Sequence, residues 1–265
     1  MNQKHAIRNG RLILEENATV PVTQREVQSN FSVYEALRVI DRHVVHLDDH
    51  IARLNSSASQ IGLNLPPVPW QEWIDRLIRR DRLSDATMRI LVYGGLSATV
   101  FITWESLLTY PDNFYEKGVD VTTYHGERFL PTCKTSNLLL SYLALNDAHS
   151  KGAFEALLVD RQNQVLEGTR SNFYMIRDNT LYSAPDELIL SGVTRISVLR
   201  AAKELGLTVS FTPVRLDELW SSGTMFLSST SMAAMPISAV DGRTVPCDIP
   251  LVLKIRDLVR LWEAE

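Results

Sequence analysis

The chain has 265 residues, 45% hydrophobic and 22% charged, with a formal net charge of -4. This is a globular composition, long enough for one large domain or two small ones, with no basic field suited to nucleic acid or anionic lipid. Two cysteines, Cys133 and Cys247, are too few for a disulfide framework, and no apolar run approaches the roughly 20 residues that span a bilayer. The opening "MNQKHAIRNGRLIL" lacks the apolar core of a signal peptide, so a cytoplasmic protein is expected.

In chain order, "AIRNGRLIL" sets Asn9-Gly10 between two short runs and predicts a hairpin. "SVYEALRVIDRHVVHL" reads as two strands around Asp41-Arg42. In "DDHIARLNSSASQIGL", Ile51, Leu54, Ala58 and Ile61 fall at helical spacing, with Asp48 or Asp49 as the cap. "WQEWIDRLIRRDRL" is a second amphipathic helix, and "TMRILVYGG" and "ATVFITW" read as strands. The polar, turn-rich "TYPDNFYEKG" (109–118) reads as a linker between a domain over 1–108 and another over 119–265.

The second half opens with the strand "VDVTTYH". "TCKTSNLLLSYLALNDAHSKG" predicts a helix from about Ser136 to a stop near Gly152. "EALLVDRQNQVLEG" and "SNFYMIRDNTLYSA" are hairpins, the latter turning at Asp178-Asn179. "TRISVLRAAKELGL" is a helix stopped by Gly206; "TVSFTPV", "TMFLSST" and "AMPISAVDG" are strands; "PLVLKIRDLVRLWEAE" closes the chain as a helix. Hairpins mixed with helices, and no internal repeat, predict an α+β class with two domains.

Of six lysines, Lys4 lies near the terminus, Lys117 in the linker, Lys151 at a helix end, and Lys203 and Lys254 on polar helix faces. Lys134 stands apart, just ahead of an apolar helix and beside Cys133. A snorkelling side chain is one explanation; a partly desolvated amine nucleophile is the other.

Three later segments favour the second. "LEGTRSNFY" sets Glu167 before a polar cluster, Thr169, Arg170, Ser171 and Asn172, where a carboxylate suits a protonated pyridine nitrogen. "ILSGVTRISVL" sets Gly192, Val193 and Thr194 at a helix start, with N–H groups, a hydroxyl and the dipole available to an anion. "FLSSTSMAA" leaves a strand through hydroxyl residues, and Arg53 adds a fixed positive charge for a phosphate. An amine for an aldehyde, an acid for a pyridine and donors for a phosphate are together the needs of pyridoxal phosphate. No metal is expected: His46 and His50 flank Asp48 and Asp49, but His46 ends a strand and a third convergent ligand is lacking.

From about Ser32 to Gly242 the chain resembles the class IV (fold-type IV) pyridoxal-phosphate aminotransferases, whose members include branched-chain and D-amino-acid aminotransferases and aminodeoxychorismate lyases. The resemblance rests on "VYEALRV", "LDDHIARLNSSA", "KTSNLLL", "EGTRSNFY", "LSGVTR" and "SSTSMAAMPISAVDG", in that order. It implies two α+β domains with the cofactor between them, usually as a homodimer. It implies Lys134 as the residue bonded to the cofactor and moving the substrate's α-proton, and Glu167 on the pyridine nitrogen. Arg53, Val193, Thr194 and Thr230 would bind the phosphate, with Gly192, Ser229, Ser171 and Asn172 among the cofactor's neighbours and Leu190 against its ring. Tyr34 would line the substrate pocket. The backbone of Thr230, Ser231 and Met232 would meet the substrate carboxylate, and Arg89 would help to hold it.

The substrates implied are an amino acid and a 2-keto acid, exchanged by a ping-pong mechanism, the amino acid being branched-chain, aliphatic or of D form. Leu139 stands where branched-chain enzymes carry a tyrosine touching the cofactor, and the first domain lacks the Arg-x-His of typical D-amino-acid enzymes. The lyases' Arg-Gly-Tyr-Ser stretch is also missing, so a 4-amino-4-deoxychorismate lyase is the alternative and an aminotransferase the main expectation.

Overall fold

Asn9 and Gly10 both take positive φ, 46° and 75°, and join β1 (His5–Arg8) to antiparallel β2 (Arg11–Leu14). Such a turn matches the twist of paired strands. The computed structural model describes residues 3–221 and 223–264. The chain divides into two units, Met1–Leu108 with Cys133–Asn137, and Thr109–Thr132 with Leu138–Glu265.

In the first unit a one-turn helix not anticipated from sequence, α1 (Arg25–Gln28), precedes β3 (Ser32–Ile40) and the short β4 (His43–Val44). Then follow α2 (Leu47–Gln60), α3 (Trp70–Asp81), β5 (Ala86–Tyr93) and β6 (Thr99–Glu105). The cap of α2 is His46, in the left-handed region at φ 51° and with no side-chain cap bond, rather than Asp48 or Asp49. Those aspartates lie in the first turn, where their charge suits the dipole.

The sheet runs β2-β1-β6-β5-β3-β4. Strand alternation sends Val33, Leu37, Val39, Met88, Ile90 and Ile102 to a core shared with Leu54 and Ala58 of α2 and Ile74 and Leu77 of α3. On the other face, paired registers place Tyr34, Leu91, Phe101 and Arg8 in one row across four strands, and Ala36, Arg89 and Thr103 in the next.

Two expectations about the lysine segment are corrected. Cys133–Asn137 belongs to the first unit, not to the C-terminal domain, and the helix that follows begins at Leu139, not Ser136. The reason is an open strand edge. β4 covers only Val39 and Ile40 of β3, leaving backbone groups at the other end of β3 to be satisfied. There Tyr34 N–H donates to the Lys134 carbonyl at 3.0 Å and Ser136 N–H to the Ser32 carbonyl at 3.2 Å, with Val33 and Thr135 bridged.

The second unit starts inside the expected linker, which is not structureless: Asp112–Lys117 forms a short helix, α4. It continues through β7 (Val119–His125), α5 (Leu139–Ser150), β8 (Glu155–Val159), β9 (Gln164–Gly168), β10 (Asn172–Arg177) and β11 (Thr180–Tyr182). Next come α6 (Val193–Glu204), β12 (Thr208–Ser210), β13 (Val214–Arg215), β14 (Thr224–Ser228), β15 (Met235–Val240), β16 (Arg243–Thr244) and α7 (Ile249–Leu261). Glu265, the last residue of the expected closing helix, lies outside the described residues. "TVSFTPV" is divided, because β12 pairs with β11 while β13 pairs with β9.

Strands β10, β14, β15, β7, β8 and β9 pair in succession, and an Asn172–Glu167 pairing closes β9 onto β10. Alternation sends Phe173 and Met175 to one buried cluster with Leu157, Leu227 and Ile237, and Tyr174 and Ile176 to another with Val198 of α6 and Ile255 of α7. With both faces covered, β10 reads as an almost unbroken apolar run. The closing pair puts Glu167 at the seam.

Candidate active site

Lys134 is held through its backbone. Its N–H donates to the Ser57 hydroxyl of α2 at 3.0 Å, and its carbonyl accepts from Tyr34. Its Nζ stands over the Tyr34 ring, 4.7 Å from the centroid, a cation–π contact. Its anchors thus lie in α2 and β3.

On the core side of β3, Glu35 is wholly buried. Its Oε1 accepts Nε of Arg53 and its Oε2 accepts Nη2, each at 2.8 Å, and Oε2 also accepts Nδ1 of His50 at 2.8 Å. Burial pushes the Glu35 carboxyl up, but the bonds from Arg53 and His50 and the nearby charges outweigh it and bring it down to about 2. Burial also holds the His50 imidazole below its ordinary value, against the upward pull of Glu35. His50 is therefore a neutral donor to an ionised carboxylate. Neither Glu35 nor Ser57 was singled out from sequence. The signal lay in the alternation of "SVYEALRV", which puts a carboxylate between Val33 and Leu37 on an apolar face and demands a cation.

In the second unit Glu167 lies at the end of β9, 5% exposed. Its Oε1 is 3.3 Å from Nε of Arg128, and its Oε2 accepts the Leu190 N–H at 3.2 Å. Arg128 was not anticipated. Asn172 Nδ2 donates to the Leu190 carbonyl at 2.8 Å, so both polar groups of Leu190 are fixed beside the carboxylate. Ser171 and Asn172, expected among the cofactor's neighbours, use these groups inside the protein. Ser171 Oγ donates to the buried Glu155 at 3.2 Å, which also takes the Thr169 hydroxyl at 2.5 Å. Glu155 thereby organises the turn after Glu167.

Gly192 caps α6. A Cβ there would fall 2.3 Å from Asn172 Oδ1, so the close approach requires glycine. The Val193 and Thr194 N–H groups stand in the first turn of the helix, which provides them no intrahelical acceptor. Arg195 pins this helix start. It is 1% exposed and donates to Asp186, to Ser183 Oγ at 2.6 Å and to the Ala184 carbonyl at 2.9 Å.

After β14, Ser229 Oγ lies 3.2 Å from Ser231 Oγ, which lies 3.1 Å from the Tyr110 hydroxyl. The Met232 amide, expected to meet a substrate carboxylate, donates instead to the Ser229 carbonyl at 3.1 Å, and its side chain is fully buried. The chain turns tightly here, with Ala233 at φ 58°. Arg260 of α7 donates to the carbonyls of Thr230 at 3.3 Å and Ser231 at 2.6 Å. Arg89 is half exposed and pairs with Glu105 at 2.9 Å, on the same sheet face as Tyr34.

The first unit thus presents an amine on an aromatic face and a guanidinium held on two edges, and the second a buried carboxylate and a helix start with Thr194. This donor set fits pyridoxal phosphate: its aldehyde, its pyridine nitrogen and its phosphate each find a matching group.

Comparison with known proteins agrees. The model of the amino-transferase class IV family matches residues 32–240. The chain is 30% identical to the D-alanine aminotransferase of Bacillus licheniformis, over 91% of this chain and 90% of that protein. It is 30% identical to a putative branched-chain-amino-acid aminotransferase of Methanocaldococcus jannaschii, over 89% and 88% respectively. The crystal structure of a branched-chain aminotransferase from Thermoproteus uzoniensis with norvaline is similar at a TM-score of 0.88 and 26% identity, covering 98% of this chain and 94% of that one.

The chain belongs to the class IV aminotransferases. It is a transaminase of fold type IV, and its cofactor is pyridoxal phosphate.

Proposed function

We propose that this transaminase moves the amino group of an aliphatic amino acid to a 2-keto acid in two half-reactions of a ping-pong cycle. The observation that carries the substrate class is the position of the Lys134 amine over Tyr34, in a row whose next members are Leu91 and Phe101. An apolar side chain suits that row. The relatives named for D-alanine and branched-chain amino acids, both aliphatic, support the same reading.

When bound, the cofactor supplies an electron sink for the charge that develops at the substrate's α-carbon. Lys134 would be the residue that bonds to the cofactor. Its Nζ, when free, would act as the base that takes the proton from the substrate's α-carbon. Glu167, paired with Arg128, would hold the proton on the pyridine nitrogen. Arg53, the Val193 and Thr194 amides, Ser229 and Thr230 would hold the phosphate, and Leu190 would pack against the ring. Arg89, one row from Tyr34, holds the substrate carboxylate, its guanidinium turning from Glu105. An Arg89→Ala enzyme with unchanged KM for amino and keto acids would remove that last assignment.

The working form is a homodimer in a reducing compartment, the cytoplasm. Leu139, Tyr142 and Leu143 leave an apolar stripe on one face of α5, 66%, 64% and 48% exposed, and such stripes mark contact surfaces. Neither Cys133 nor Cys247 is in a disulfide. Among the described residues no helix is long and apolar enough to cross a membrane.

The test is a half-reaction screen. Mixing the holoenzyme with L- and D-forms of alanine, valine and leucine should bleach its visible band with at least one of them. Bleaching by acidic or aromatic amino acids alone would overturn the substrate class.

A further inference from the structure

Arginine on a helix surface is a flexible cation, and a flexible cation loses entropy each time it binds an anion. Arg53 is not placed that way. Glu35 receives its Nε and Nη2 on separate oxygens, both at 2.8 Å, and His50 secures Oε2 from the same helix at 2.8 Å. The side chains of Glu35 and His50 are 0% and 1% exposed, while that of Arg53 is 13% exposed. Of the three side chains, that of Arg53 is the most exposed.

Burying these charges needs a reason. Glu35 occupies an inward position of β3 between Val33 and Leu37, where an apolar residue would complete the core. Replacing a buried ion pair by packed apolar side chains is often neutral or stabilising, so stability alone does not call for a carboxylate there.

We propose that Glu35, clamped by His50, is a positioning residue that fixes the Arg53 guanidinium for the cofactor's phosphate. The proposal rests on the reading of Arg53 as a phosphate holder. It makes a signed distinction. If Glu35 only offset the charge of Arg53, removing it would strengthen phosphate binding. Because Glu35 orients the guanidinium, removing it weakens that binding even though a compensating negative charge is gone.

The experiment titrates apo-enzyme with pyridoxal phosphate and with pyridoxal, which bonds the same lysine but has no phosphate. Visible absorbance and tryptophan fluorescence report the dissociation constants. Glu35→Gln is expected to raise the constant for pyridoxal phosphate roughly 10–100-fold, the range for a hydrogen bond to a charged group, and to leave that for pyridoxal little changed. Should Glu35→Gln not fold, His50→Leu removes one clamp and shows the same selective loss in smaller measure. His50→Asn, whose amide can donate in place of Nδ1, restores binding. Equal losses for both ligands, or an unchanged or lowered constant for pyridoxal phosphate, would overturn the proposal. Wild-type enzyme that gives no visible band with either ligand would instead overturn the cofactor reading, and this inference with it.

Discussion

The amine of Lys134 stands 4.7 Å from the centre of the Tyr34 ring, while the Tyr34 N–H donates to the Lys134 carbonyl. One strand residue thus holds the lysine at both its backbone and its reactive end. Tyr34→Phe keeps the ring face and should turn over close to wild type. Tyr34→Ala removes it, and the single-turnover rate should fall roughly 3–30-fold, the range for a cation–π contact. An unchanged rate in Tyr34→Ala would separate the ring from the chemistry.

Arg128 bears on Glu167 as the strand bears on the lysine. With Nε 3.3 Å from Oε1, it steadies a carboxylate that must stay ionised to face a protonated nitrogen. Arg128→Gln should lower kcat about 10-fold or more, with KM moving less, and Arg128→Lys should recover only part, since a point charge does not replace a planar fork. Steady-state kinetics at fixed saturating cofactor checks both. Equal activity in Arg128→Gln would confine this pair to folding.

The buried network in the first unit sets an acid limit on stability. Glu35 is held at about 2 in the folded chain, against an ordinary 4.5. The unfolded chain therefore takes the proton first as pH falls. The contribution, roughly 3 kcal/mol, is complete above about pH 5 and is lost from there toward pH 2. His50 acts in the same direction from its ordinary 6.5 downward, because burial resists its charging. Urea midpoints should drop as pH falls from about 7 to about 4. In His50→Asn the part of that slope above about pH 5 should flatten. A slope identical in wild type and variant would contradict the assignment to His50.

The apolar stripe on α5 makes a prediction about assembly. Sedimentation should find the wild type as a dimer, and Leu143→Glu should shift it toward monomer by placing a charge in the contact. A monomeric wild type, or a Leu143→Glu dimer of unchanged affinity, would assign the stripe elsewhere.

What the sequence made legible is local. Asn9-Gly10 announces its hairpin, and Gly192-Val193-Thr194 its helix start, because each depends on a few neighbouring residues. Lys134 could be singled out because every other lysine had an ordinary place. Its anchoring could not. Ser57 is 77 positions away, and the open edge of β3 that draws Cys133–Asn137 into the first unit exists only because β4 is so short. Arg128, Glu155 and Arg260 escaped notice for the same reason, since each acts through a contact that folding creates. Met232 was misplaced because a tight turn commits its amide to Ser229.

The most direct test of the account is the pair of spectra and rates for wild type and Lys134→Ala, each incubated with pyridoxal phosphate and then with amino acid and keto acid. The wild type should be yellow and active, and the variant should show neither the yellow band nor turnover. A Lys134→Ala protein that turns yellow and transfers amino groups would contradict it.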